Sequence, residues 1–194
     1  MSKRTVIGIT LLMLLALALS ACGVFDLYVS QGDSSGSAEV PAVCEPEPGA
    51  LTFQGIGVCF SYPEGYTVEM PVDNEVMVRG PVPQAGTQPI AFVIVSDAEG
   101  RTAQDVADAR ITEAQVAIPG FEADTEAVEL GGYPAVAVYN LPGQDVNWTV
   151  FAVVSNTLVE VMVVPMDPTY TEPYGQAVAL YTLLLDSFDI VPQG

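Results

Sequence analysis

Hydrophobic positions in this chain change period several times, and each change marks an element. Val6 to Leu19 is an apolar run, with Thr10 its one polar residue, that follows Lys3 and Arg4. From Gly23 to Gly49 no period survives. Ser30 to Ala38 is rich in Ser and Gly, and Pro41, Pro46 and Pro48 alternate with Glu45 and Glu47. Such a composition buries too little apolar surface to order itself and reads as a spacer. Beyond it come short strand-like runs around Gly55 and Gly57, Leu51 to Phe53 and Val58 to Tyr62, then Tyr66 to Glu69, and then Glu75 to Arg79, which alternates with period two. These predict strands, with Pro63-Glu64-Gly65 as a turn. A Pro- and Gly-rich loop from Gly80 to Pro89 precedes Ile90 to Val95, whose continuous apolar run predicts a central strand.

Thr102 then opens a stretch of helical period. Ala103, Val106, Ala107, Ile111 and Ala114 share a stripe with Arg110 at its edge, and Pro119-Gly120 ends it. Thr102 can cap the first turn, where Asp105 also suits the helix dipole. Four strand-like segments follow at Ala127–Leu130, Ala135–Leu141, Trp148–Val154 and Leu158–Val164. Their connections are short, so they should pair antiparallel as a meander. A second amphipathic helix is predicted over Pro173–Ser187, with Ala177, Val178, Tyr181, Leu184 and Leu185 on its apolar face and Phe188 just beyond. Two helices that must each bury a face, and one meander, imply an α+β fold. The expected form is an antiparallel sheet of about six strands flanked by two main helices.

The N-terminal run has the basic start and 14-residue apolar stretch of a signal peptide, short for a bilayer-spanning helix. It closes on Leu19-Ser20-Ala21-Cys22. This resembles the bacterial lipobox, which implies cleavage before Cys22 and acylation of that cysteine. The implied organisation is a signal peptide at 1–21, an acylated Cys22 with a flexible linker over 22–50, and one domain over 51–194. Two or more acyl chains anchor stably where one does not, so Cys22 would suffice as the membrane contact. The implied location is the bacterial cell envelope, on the extracytoplasmic face.

Charge narrows the partners. The chain carries 24 acidic and 5 basic residues, a formal net charge of -19. Past the signal, the only cations are Arg79, Arg101 and Arg110, with no lysine or histidine left. Nucleic acid is excluded as a partner, because its phosphates need basic residues. An electrostatic contact with anionic headgroups is disfavoured for the same reason. The carboxylates are spread along the chain, as expected of a solvated surface.

Cys44 and Cys59 remain once Cys22 is assigned to lipidation. In an exported chain the pair reads as a disulfide. A reactive pair would be favoured by Cys-x-x-Cys spacing or a basic neighbour, and the sequence has neither.

The residues Phe60-Ser61-Tyr62-Pro63-Glu64-Gly65-Tyr66, Gly131-Gly132-Tyr133-Pro134-Ala135 and the final helix running into Ser187-Phe188 resemble the PsbP-like family over residues 51–191. That resemblance implies an α/β/α sandwich and a non-catalytic role, binding or stabilising a partner protein. It implies no cofactor. Metal-binding histidines of some members have no counterpart in this histidine-free chain.

Candidate chemistry is sparse. Without histidine or a mature lysine, Ser–His, Cys–His and Ser–Lys catalysis are all missing a member. Zinc of the usual type lacks ligands, and Gly55-Ile56-Gly57 lacks the third glycine and helix of a phosphate loop. Glu122, Asp124, Glu126 and Glu129 are the candidate ligands of a hard cation such as calcium, since the first three would share one face of an extended segment. They lack the Asp-x-Asp-x-Asp-Gly pattern and equally suit a charged edge strand. A carboxylate-pair hydrolase needs only two acids and is a further alternative. Trp148 reads as sheet packing. Tyr133, Tyr139, Tyr170 and Tyr174 are candidates to line a surface groove near loop ends. Asn147-Trp148-Thr149 matches a glycosylation acceptor that a bacterial setting leaves idle. The leading reading is an anchored, non-enzymatic binding domain whose partner is another protein of the envelope.

Overall fold

The structure is a computed structural model that describes Cys44, residues 48–82 and residues 86–191. The predicted signal, Cys22 and nearly all of the linker lie outside the described residues. Among those described, ten strands and two helices run in the order β1 (Ala50–Gly55), β2 (Val58–Pro63), β3 (Thr67–Val72), β4 (Glu75–Arg79) and β5 (Ile90–Asp97), then α1 (Ala103–Ala117). The meander β6 (Asp124–Leu130), β7 (Tyr133–Tyr139), β8 (Trp148–Val154) and β9 (Thr157–Val164) follows, then α2 (Thr171–Ser187) and the two-residue β10 (Asp189–Ile190).

The α+β expectation holds, with α1 and α2 on opposite sides of an antiparallel sheet. That sheet has seven strands in the order β3-β4-β5-β9-β8-β7-β6, so β5 is indeed central. β1 and β2 do not join it. They form a second sheet in the order β1-β2-β10, with the chain end returning to β2. Hydrophobic period says that these segments are strands but not which sheet receives them, which is why the pattern alone points to one sheet.

Local chemistry explains the corners. Tight antiparallel hairpins favour turns with positive φ at both central residues. Ser155-Asn156 and Gly131-Gly132 provide that for β8–β9 and β6–β7. At Gly131 no side chain could replace the hydrogen, because a Cβ there would run into the carbonyl of Phe188. Its N–H donates to the Leu185 carbonyl at 2.6 Å, so the corner also locks the end of α2. The Ile56-Gly57 turn places a β-branched residue at φ 47°, a strained choice held by packing against the core.

The start of α1 is set by a reciprocal cap. Thr102 Oγ1 accepts from the Asp105 N–H at 3.2 Å, and Asp105 accepts from the Thr102 N–H at 2.9 Å. That bonding, chiefly from Thr102, holds the Asp105 carboxyl below its ordinary range. The disulfide Cys44–Cys59 is present, with Cα atoms 6.1 Å apart, and ties the chain before β1 to β2.

Successive side chains of a strand point to opposite faces, so each face of the seven-stranded sheet can be read by parity. On the inner face, Val76, Val78, Ala91, Val93, Val161 and Val163 are buried beneath α2 and the second sheet. Phe60 of β2 stacks between Phe53 and Phe188 and plugs that layer. On the outer face, Val106 and Ala107 of α1 pack on Val138, Phe151 and Leu158 in a separate, smaller core.

Candidate functional site

The outer face is only partly roofed. α1 lies over β7 and β8 and covers Leu158 at the start of β9, so the outward side chains of β4, β5 and the rest of β9 extend past it. Register places them in rows across the sheet: Arg79 beside Ile90 beside Val164, and Met77 beside Phe92 beside Met162. Here the sheet floors a groove of about 910 Å³. Ile90, Phe92, Met162 and Val164 form the floor, half-buried rather than sealed. One wall is the C-terminal half of α1, from Arg110 to Ala117. The loop from Leu141 to Asn147 closes one end, and Thr87 and Gln88 border the other side.

The groove draws in two of the three arginines beyond the signal. Arg110 Nη2 donates to Glu160 Oε2 at 2.9 Å, while Nη1 lies 3.7 Å from Glu113. Glu160 is on β9 with its side chain only 15% exposed, so this pair bolts α1 to the sheet at the groove wall. Arg79 Nε lies 3.6 Å from Glu69 on the neighbouring strand. Both guanidinium groups therefore already have carboxylate partners. Asp145 lies at the loop end and accepts from the N–H of Val146 at 2.9 Å.

Asn147 and Thr149 make this loop rigid from below. Both are almost fully buried. The Asn147 amide donates to the carbonyls of Leu141, at 2.7 Å, and Asp145, at 3.3 Å. Its oxygen accepts from Thr149 Oγ1 at 3.2 Å. Buried amides that satisfy backbone carbonyls fix a loop's shape. The Asn147-Trp148-Thr149 motif is thus structural in this fold.

The candidates read from sequence sit elsewhere. Trp148 packs on the inner face, with the Tyr139 and Tyr181 rings at edge contacts of 5.3 and 5.1 Å. Of the four tyrosines, Tyr133 donates to Asp189 at 2.9 Å and borders a separate cavity of about 770 Å³ near Ile56 and Ile190. Tyr139 donates to Glu126 at 2.6 Å. Tyr174 packs on the inner core, and Tyr170 precedes α2. None of them reaches the large groove. Burial, then the charge of Glu126, pushes the Tyr181 hydroxyl up to about 12, and burial with the Glu126 bond raises Tyr139 as well.

Glu122, Asp124, Glu126 and Glu129 are not gathered. β6 begins at Asp124, so Glu122 precedes the strand, and Glu129 falls on the opposite side of the pleat from Asp124 and Glu126. Among the described residues no group of three or more His, Cys, Asp or Glu is placed to hold a metal ion. The groove does line up three acids, Glu113, Asp145 and Glu160. Two of these share one guanidinium, and the third serves its own loop.

Sequence reasoning passed over this groove, although two signals point to it. Glu160 interrupts the apolar strand Leu158–Val164, and Arg110 sits at the edge of an otherwise apolar helical stripe. An acid inside a strand and a cation at a helix edge suggest a partly open seam where the two can meet.

No protein-family model matches this chain, and no curated protein does. Among solved structures, it is similar to the solution structure of cyanobacterial PsbP (CyanoP) from Synechocystis sp. PCC 6803, at 18% identity and a TM-score of 0.48. The match covers 82% of this chain and 98% of that one. Among the described residues no helix is long and apolar enough to cross a membrane.

Proposed function

We propose that this chain is a bacterial envelope lipoprotein, anchored through Cys22 on the extracytoplasmic side, whose domain is a non-catalytic accessory module that docks on a protein partner. The observation that carries the docking role is the groove on the outer face. It has an apolar floor, a rigid loop at one end and charged walls, and such composition suits recognition of another protein. The anchor reading is supported by the Lys3-Arg4 start, the apolar run and Leu19-Ser20-Ala21-Cys22. The disulfide agrees with an oxidising compartment. Non-catalytic action is supported by the lack of histidine and of any lysine beyond Lys3.

Two arms test this reading. In a bacterial host, the native chain should incorporate labelled fatty acid and fractionate with membrane, and Cys22→Ser should lose both. A photo-crosslinking residue at Gln144, exposed on the groove rim, should give one discrete protein adduct, and only when Cys22 is intact. Membrane retention and labelling that survive Cys22→Ser would refute the anchor. A Gln144 probe that forms no adduct, beside a positive control probe, would refute the docking role.

A further inference from the structure

We propose that the groove receives an amphipathic helix with basic flanks, contributed by the partner and laid beside α1. This deepens the docking role just described and rests on the groove being the contact surface.

The first argument is shape. Neighbouring strands lie about 4.8 Å apart, so β4, β5 and β9 span roughly 10 Å, close to the 10–12 Å diameter of a helix with its side chains. Along β9 the groove runs from Glu160 to Val164, roughly 13 Å at the rise of a strand, which matches about nine helical residues. The sheet already carries α1 on this same face, so a second helix would extend an existing layer. An added strand fits less well, because the floor offers side chains and its backbone is already paired between β4, β5 and β9. The edge strand β3 carries Pro71, and the other edge, β6, carries Asp124 and Glu126.

The second argument is charge. Arg79 and Arg110 are each matched by a carboxylate, and Arg110 by two. Asp145 at the groove end has no cation paired with it among the described residues, and the lining holds the three acids Glu113, Asp145 and Glu160 against the two arginines. The walls are therefore net acidic, on a chain of net charge -19. A partner helix meets this best with an apolar stripe for the floor and Lys or Arg at its flanks.

The test uses the whole mature chain, residues 22–194, carrying Cys22→Ser so that no acyl group competes. The probe is a 14-residue helical peptide with leucines at i, i+3, i+4 and i+7 and lysine flanks. A second peptide keeps the leucines and exchanges lysine for glutamate. Amide chemical shifts should move along β5, β9 and the C-terminal half of α1 with the lysine peptide, and binding should be at least tenfold weaker with the glutamate peptide. Met162→Asp should weaken binding at least tenfold. Asp145→Asn, which keeps an oxygen to accept from the Val146 N–H, should weaken it severalfold, and Asp124→Asn should leave it within twofold. Shifts scattered over the acidic surface, or equal binding of both peptides, would overturn the proposal. So would a groove that takes laurate but neither peptide, or self-association with Met162 at the interface. If the Gln144 probe captures a protein and the lysine peptide still does not bind, the helix assignment falls alone.

Discussion

The two faces of the seven-stranded sheet are built by the same strands and end in different states. In β5 and β9 the inward residues are small, Ala91, Val93, Val161 and Val163, and α2 and the second sheet seal them completely. The outward residues of the same strands are larger or charged, Ile90, Phe92, Glu160 and Met162, and α1 leaves them half open. Small branched side chains let a helix approach closely and exclude water. Large ones left without a roof keep apolar area exposed at a cost in stability, the usual mark of an interaction surface. One face stabilises the fold, and the other is free to bind.

The sharpest way to break this contrast is to delete one large side chain from each face. Leu184→Ala, beneath the sealed face, should cost roughly 3–4 kcal/mol of unfolding free energy, since the cavity has no way to collapse. Phe92→Ala, in the groove, should cost only about 1 kcal/mol, because water already reaches the ring. Denaturant melts of the two variants compare them directly, and equal losses would break the distinction.

The disulfide reinforces the sealed side. Its loop spans a sequence separation of 15, so joint replacement of Cys44 and Cys59 by serine should cost about 3 kcal/mol in the chain-entropy account. Groove binding should be unaffected at temperatures where the variant stays folded.

Alkaline titration should also act on the inner face first. Tyr181 is held protonated up to about 12, against an ordinary value near 10. The folded chain thus binds more protons than the unfolded chain between those values. That stability is complete below pH 10 and is lost as pH rises towards 12. The near-ultraviolet signal of Trp148, which touches Tyr181, should weaken in this window along with the melting temperature. Tyr181→Phe should flatten the dependence, and a dependence that persists unchanged in that variant would contradict the assignment.

An effect as small as that of Phe92→Ala belongs to the cap on the outer face. Thr102→Ala removes the reciprocal cap of α1 and should cost about 1 kcal/mol. Faster amide exchange should appear in the first turns of α1 and leave α2 unchanged.

Much of the sealed side is legible in the amino-acid order. The alternation in β7 to β9, the corner at Gly131-Gly132 and the apolar face of α2 all follow from local rules, as does the Thr102 cap of α1 on the other side. The open side is harder to read. Period two assigns Phe92 and Met162 to one face but says nothing of whether a helix reaches them. That depends on how far α1 extends across the sheet, a property of packing rather than of pattern. The same ambiguity explains why β1 and β2 read as part of one sheet. The acids Glu122 to Glu129 stand out in sequence because they are close in number. The groove is inconspicuous because Arg79, Arg110, Asp145 and Glu160 come from four separate elements.

Two methionines give the most direct test of sealed against open. Met166 is 3% exposed within the inner core, whereas Met162, four residues earlier, lies on the groove floor. Brief treatment of the intact protein with dilute peroxide, read by mass spectrometry, should oxidise Met162 severalfold faster than Met166. Oxidation of Met162 as slow as that of Met166 would contradict an open outer face and the binding role that rests on it.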